Sequence, residues 1–301
     1  MTARVVCVGT ALLDTLVLVD RMPGADERVE VEELVTTGGG NASTSAVAIA
    51  RLGVDVDFVG AVGDDDAGRR ALAGLADEGV GVAGVEVRDA DTAQSVVVVA
   101  RESATRMILT RPADLPARLP AGYEWMHLDK VGHAALVREG GTAARVSLDD
   151  GNPVPDLDLS RIDLYVPTAD VLVRRLGGDP LSAGRAALAD GAGAVVATAG
   201  SAGSFALAPG VEAFAPGLPV PVRSSLGAGD VFHGALLAAV VLGRSLPEAI
   251  RFANVTAALS CRALDGRSGI PDRGEVEAAL RELPPSPRDA VAAIAALSAG
   301  E

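Results

Sequence analysis

Short apolar, mostly β-branched runs alternate along this chain with longer segments whose apolar residues recur at helical spacing. The runs Arg4 to Gly9, Val56 to Val62, Trp125 to Asp129, Arg145 to Asp149, Asp163 to Pro167 and Ala194 to Thr198 predict strands. Helices are predicted over Ala42 to Leu52, Gly68 to Glu78, Ser182 to Asp190, Gly229 to Leu242, Pro247 to Leu264, Arg273 to Arg281 and Asp289 to Leu297. Strands that are apolar at nearly every position need cover on both faces. The pattern therefore predicts an α/β fold, a doubly wound, mainly parallel sheet with helices on both faces.

Two segments break the βα rhythm, Thr15 to Val35 and Asp91 to Thr110, the latter through Gln94-Ser-Val-Val-Val-Val-Ala and Thr105-Arg-Met-Ile-Leu-Thr. They read as antiparallel strands of a small β-sheet lid beside the core. The expected division is a core of residues 1–14, 36–90 and 111–301 and a lid of residues 15–35 and 91–110. A sheet beside an α/β cleft suits a closing lid or a homodimer surface.

At 301 residues the chain is long enough for two small domains or one large α/β unit with an elaboration. Hydrophobic residues make up 49% and charged residues 22%, a balance that excludes a disordered chain. No apolar run approaches the ~18 residues of a membrane helix. The run Val5 to Leu13 lacks a basic n-region and a cleavage site, so it reads as the first strand of a cytoplasmic protein. A net charge of -14 repels polyanions and argues against nucleic acid as a partner. Cys7 and Cys261 have no zinc or disulfide spacing and read as buried apolar residues. Lys130 is the only lysine, so any lysine-dependent chemistry would rest on it alone.

The sharpest local signal is Ser224-Ser-Leu-Gly227-Ala228-Gly229-Asp230, which leads into an apolar helical stretch. Glycines permit a tight turn, and the free N–H groups at a helix N-terminus form an anion site. Asp230 beside a phosphate would suit a general base, whereas the bland alternative is a helix cap. A second glycine turn, Thr36-Thr-Gly38-Gly39-Gly40-Asn41, opens the next candidate helix with Ser43, Thr44 and Ser45 in its first turns. Its side chains can bond a polyhydroxyl ligand or cap the helix. Asp14, just past the first strand, and Asp26, in a polar turn, lie where an α/β sheet usually binds ligands. Arg106 on the lid offers a guanidinium to a phosphate, sulfonate or carboxylate, or faces solvent. Lys130, His127, His133 and His233 have no partner at a catalytic or metal spacing and read as structural or peripheral.

Together these motifs resemble the ribokinase-like (PfkB) carbohydrate kinases over essentially the whole chain. Gly227 to Asp230 looks like the family's C-terminal signature and Gly38 to Gly53, ending Ala-Arg-Leu-Gly, like its N-terminal one. Within the family, Gly39-Gly-Asn-Ala-Ser, Leu226-Gly-Ala-Gly-Asp and Gly243-Arg-Ser-Leu-Pro-Glu-Ala-Ile-Arg-Phe are most similar to ketohexokinases and bacterial ketose or sulfo-sugar kinases. The resemblance implies ATP and Mg²⁺, with Asp230 as base and the Gly227, Ala228 and Gly229 amides as anion hole. It implies sugar contacts from Asp14, Asp26, Gly39, Gly40 and Asn41, and nucleotide contacts from Thr198, Gly200, Gly203, Gly227, Gly229 and Asn254. Thr44 stands where the family's substrate Asn usually is. Ser224 replaces an Asp tied to a monovalent-cation site, which leaves potassium activation open, and Asp170 is the one candidate for the family's Mg²⁺ element. The function this implies is an ATP-dependent kinase of a small, ketose-like sugar. The alternatives are a nucleoside kinase, less suited to a chain with eight aromatic residues, and a catalytically silent sugar or nucleotide sensor.

Overall fold

The computed structural model describes residues 5–102, 105–287 and 289–299; Arg4 of the expected first strand, and Ser103 and Ala104 of the expected lid, lie outside them. The chain runs β1 (Val5–Val8), β2 (Leu12–Val19), β3 (Glu33–Gly39), α1 (Asn41–Arg51), β4 (Val56–Val59), β5 (Ala61–Gly63) and α2 (Asp66–Asp77). There follow β6 (Glu86–Arg88), β7 (Gln94–Ala100), β8 (Thr105–Thr110), β9 (Trp125–Leu128), α3 (Lys130–Glu139), β10 (Arg145–Asp150), β11 (Leu164–Pro167), α4 (Ala169–Leu176) and α5 (Pro180–Ala189). The last part holds β12 (Ala194–Thr198), β13 (Gly203–Ala208), β14 (Val211–Pro216), α6 (Ala228–Val241), α7 (Leu246–Ser260), α8 (Arg273–Glu282) and α9 (Ala290–Ala295).

The main sheet has the order β14-β13-β12-β11-β10-β9-β1-β4, parallel from β4 through β12 and antiparallel at the β12–β13–β14 edge. In β1, Val5 and Cys7 face a layer that includes α1, α6 and α7, while Val6 and Val8 face α3, α4, α5 and α9. Side chains alternate across a strand, so cover on both faces requires an apolar residue at every position, as the sequence pattern predicted. Both cysteines are free and buried.

The smaller sheet has the order β3-β2-β7-β8. It differs from expectation in two ways. Its β2–β7 pairing is parallel, and β2 and β3 extend to Leu12 and Gly39, which brings Asp14 and the first glycines of the second motif into the sheet itself. Leu16, Leu18, Val97 and Val99 fill its inward face with Leu264. Helix α7 ends at Ser260, and Leu264, expected to close it, packs against this sheet from beyond the helix end. The run Val56 to Val62 is two strands, because the chain leaves the main sheet at Gly60 and β5 pairs with β6 instead. The pattern also missed α3 and α4, short helices of 10 and 8 residues, and the alanine-rich edge strands β13 and β14.

Candidate active site

The functional side chains gather where the parallel strands end, since there the helix N-termini and the loops they leave converge. Asp129, just past β9, is 3% exposed and caps α3 through the Val131 and Gly132 N–H groups. Its other oxygen accepts from Thr10 N at 2.7 Å and lies 3.4 Å from Ala42 N, tying the β1 end to the start of α1. Asp149 and Asp150 close β10, both buried. Asp150 accepts from the Tyr165 hydroxyl at 2.7 Å and pairs with Arg175 at 2.9 Å.

The Gly227 turn opens α6 as its sequence promised. Gly227 has φ 73°, and a Cβ there would stand 2.8 Å from the Gly266 Cα, so both the conformation and the packing call for glycine. No side chain caps the helix, and while the Ala228 N–H, expected in the anion hole, donates to the Ser225 carbonyl at 3.3 Å, the Gly229 and Asp230 amides face outward for a ligand. Asp230 stands in that turn. Asn41, first residue of α1, donates from Nδ2 to Asp230 Oδ1 at 2.8 Å and reaches Asp149 Oδ2 at 3.4 Å. Ser45, one turn along α1, donates to the Asp230 carbonyl at 2.8 Å. The two glycine motifs, almost two hundred residues apart in sequence, thus meet side by side.

Burial and the neighbouring Asp149 charge raise the half-buried Asp230 carboxyl to about 7. His233, one helical turn further on, faces Asp149 with Nε2 3.0 Å from Oδ1. Burial is the largest influence and opposes charge on this histidine, but the charge and hydrogen bond of Asp149 together with the Asp230 and Asp150 charges raise its pKa. Asp149 is held down at about 2 against its own burial by the His233 charge and hydrogen bond. His127 is driven to about 3 by burial and the His233 charge, and so stays neutral.

Asp14 lies on the inward face of the small sheet, hydrogen-bonded to Ser95, and its carboxylate occupies the space where a Cβ of Gly39 would stand. Glycine at 39 is therefore what lets a carboxylate lie against the approach to Asn41. Burial raises the Asp14 pKa. The guanidinium of Arg267 braces the same turn from below, donating to the Gly39 carbonyl at 3.0 Å, to Ser43 Oγ at 2.8 Å and to Thr44 Oγ1 at 3.3 Å. It is 6% exposed, and burial lowers its pKa to about 10, which leaves it charged at neutral pH.

Asp14, Gly39, Gly40, Asn41, Thr44, Gly227, Ala228, Gly229 and Asp230 are thus brought together. Thr44 is 3% exposed and serves as an acceptor for Arg267. Arg106 reaches the same loop, its Nη1 3.2 Å from Ser225 Oγ. Asp26 does not join them: it sits exposed on the turn between β2 and β3, with φ 59° and none of the contacts that link the others. Thr198 ends β12, Gly200 opens the tight turn that follows, with φ 55°, and Gly203 begins β13. Asn254 spends its amide donors on the carbonyls of Ala215 (2.8 Å) and Pro216 (3.3 Å), tying α7 to β14. Asp170 is exposed in the first turn of α4, and no group of three or more metal-ligating side chains is gathered among the described residues.

Three residues escaped the sequence reading. Arg267 and Asp149 carry no motif, and only the fold brings them in. His233 had a signal, since three positions after Asp230 is one turn on the same helix face. Its partner Asp149 is remote in sequence, so no local spacing showed the pair.

An uncapped helix N-terminus beside a partly buried carboxylate with a raised pKa suits phosphoryl transfer to a hydroxyl. The chain matches the pfkB family carbohydrate kinases over residues 2–159 and 167–273 and belongs to that family. It is accordingly a phosphotransferase that acts on a hydroxyl acceptor. It is 28% identical to ribokinase of Bacillus subtilis over 92% of this chain and 99% of that one. It is 27% identical to ketohexokinase of Mus musculus over 89% of this chain and 98% of the other. Among solved structures, ribokinase of Arabidopsis thaliana complexed with ribose and ATP is 25% identical, with TM-score 0.74 over 94% of this chain and 100% of that chain.

Proposed function

We propose that this protein transfers the γ-phosphoryl group of ATP to a primary hydroxyl of a small sugar, with Asp230 as the base. The observation that carries the reading is the contact between Asn41 and Asp230, which sets a hydroxyl-binding turn against an uncapped helix N-terminus. The sugar would lie between Asp14 and Asn41, its reacting oxygen toward Asp230. As that oxygen attacks the γ-phosphorus, its proton passes to the Asp230 carboxylate, the bond from the phosphorus to the bridging oxygen breaks, and ADP leaves. The amides of Gly229 and Asp230 offset the charge that gathers on the transferred group. Thr198, Gly200 and Gly203 stand at the end of β12, where the nucleotide would lie.

Among the described residues no cluster of three metal ligands is gathered, and Asp170 is exposed. Mg²⁺ belongs with ATP as part of the substrate, keeping several waters as this ion usually does.

The segments similar to ketohexokinases favour a ketose, while the ribokinase among the relatives makes ribose the competing acceptor. ADP release measured across ketohexoses, aldopentoses, sulfo-sugars and nucleosides should show turnover on at least one bare sugar exceeding that on any nucleoside. Binding without turnover on every compound would overturn the kinase reading in favour of a sensor.

The outer face of the small sheet fits a second copy of the chain. Residues paired across strands point to the same side, so Leu34, Val96, Met107 and Leu109 share this face, 61%, 41%, 46% and 58% exposed. Patches of this kind mark interaction surfaces. Leu109→Glu should convert a dimer to a monomer by sedimentation velocity, and a wild-type chain that sediments as a monomer would contradict the assignment.

A further inference from the structure

Beneath Asp230 lies a chain of polar groups that phosphoryl transfer does not by itself require. Asn41 holds the carboxylate of Asp230 with one edge of its amide and reaches Asp149 with the same nitrogen. Asp149 is fixed in turn by Gly151 N at 2.8 Å and by His233 Nε2 at 3.0 Å, and both members of that pair are about 95% buried. His233 comes from the same helix as Asp230, so base and histidine keep a constant separation while β10 supplies the acid between them.

Resting on the assignment of Asp230 as base, we propose that Asp149 and His233 are positioning residues: a buried pair in which Asp149 anchors Asn41 and His233 offsets the charge that Asp149 presents to the base. The electrostatics follow from who faces whom. Asp230 faces Asp149 from β10, His233 from its own helix, Asp129 beyond β9 and Arg267 from the loop after α7. Two of those groups are acids and two are basic, and an Asp149 without its histidine would push the proton more strongly onto Asp230. His233 faces Asp149, Asp150, His127 and Asp230, so three carboxylates favour its charge and the neutral His127 does not compete for it. Charge on His233 offsets part of the Asp149 repulsion without placing an acidic proton next to the base. Asp149 can therefore orient Asn41 without disabling the group that Asn41 presents.

Removing the two charges should act in different directions, which a merely structural role would not do. In His233→Asn a donor to Asp149 remains but its counter-charge is lost, so the acid limb of the kcat/KM–pH profile should move up by about one unit or more. In Asp149→Asn both the repelling acid and the reason for His233 to be charged disappear, so the limb should stay or move down while kcat falls through the freed Asn41. Histidine ¹⁵N NMR on the full-length wild-type protein provides the reading that needs no variant of the base. The His233 pKa should lie above that of a free imidazole, and in Asp149→Asn it should fall. A wild-type His233 that titrates below a free imidazole, or a limb that moves the same way in both variants, would overturn the proposal. Asp230→Asn assayed alongside separates this from the wider reading: if that variant turns over normally, the base assignment fails, whatever the histidine does.

Discussion

Gly227→Val is expected to remove measurable turnover and to lower stability by about 2 kcal/mol. A β-branched residue is strained at φ 73°, at a typical cost of about 1–3 kcal/mol, and its Cβ would meet the Gly266 backbone at 2.8 Å. Relief requires the turn to swing away from residues 265–267, which carries the first amides of α6 off the position of the phosphate. Loss of a single aligned donor to a developing oxyanion typically costs about 10²–10³ in rate, and here two move together. Gly229→Ala is the steric comparison, because a Cβ there meets nothing within 4 Å and its thermal midpoint should match the wild type. Thermal unfolding and steady-state ADP release on the two variants check the argument. A Gly227→Val protein with wild-type midpoint and turnover would contradict it.

Much of the architecture was legible because both faces of the main sheet are buried, and an all-apolar strand such as Val5–Val8 can satisfy nothing else. The glycine turns were legible for a related reason. Gly39 and Gly227 stand where a Cβ would strike Asp14 or Gly266, so the sequence shows the close approach as a run of glycines even when the partner is unknown. The hairpin of β13 and β14 was not, since its strand formers Phe205, Val211 and Phe214 stand singly among Gly, Ala and Pro, and pairing to β12 completes the strands. Asp26 was read by analogy of residue type, and a turn carboxylate carries no pattern that distinguishes a ligand contact from a solvated side chain. Arg267, Asp149 and the partner of His233 lay beyond reach for another reason: each works through a residue remote in sequence, and only the packing of α6 against α1 and β10 and the loop after α7 turns them into neighbours.

Phosphoryl transfer by this chain depends on the carboxylate at 230 acting as the proton acceptor. Its raised pKa, about 7, sets the sign of the pH dependence: the base works ionised, so kcat/KM should fall as pH drops below neutrality and level off above it. Asp230→Asn keeps the shape of the side chain and can still meet Asn41, but it cannot take a proton. Turnover of this variant on the best sugar substrate, with nucleotide and sugar affinities measured by calorimetry on the same sample, is the most direct measurement. The predicted result is a fall in kcat of about 10²–10⁴ with both affinities within a few-fold of wild type. Turnover within a few-fold of wild type would contradict it.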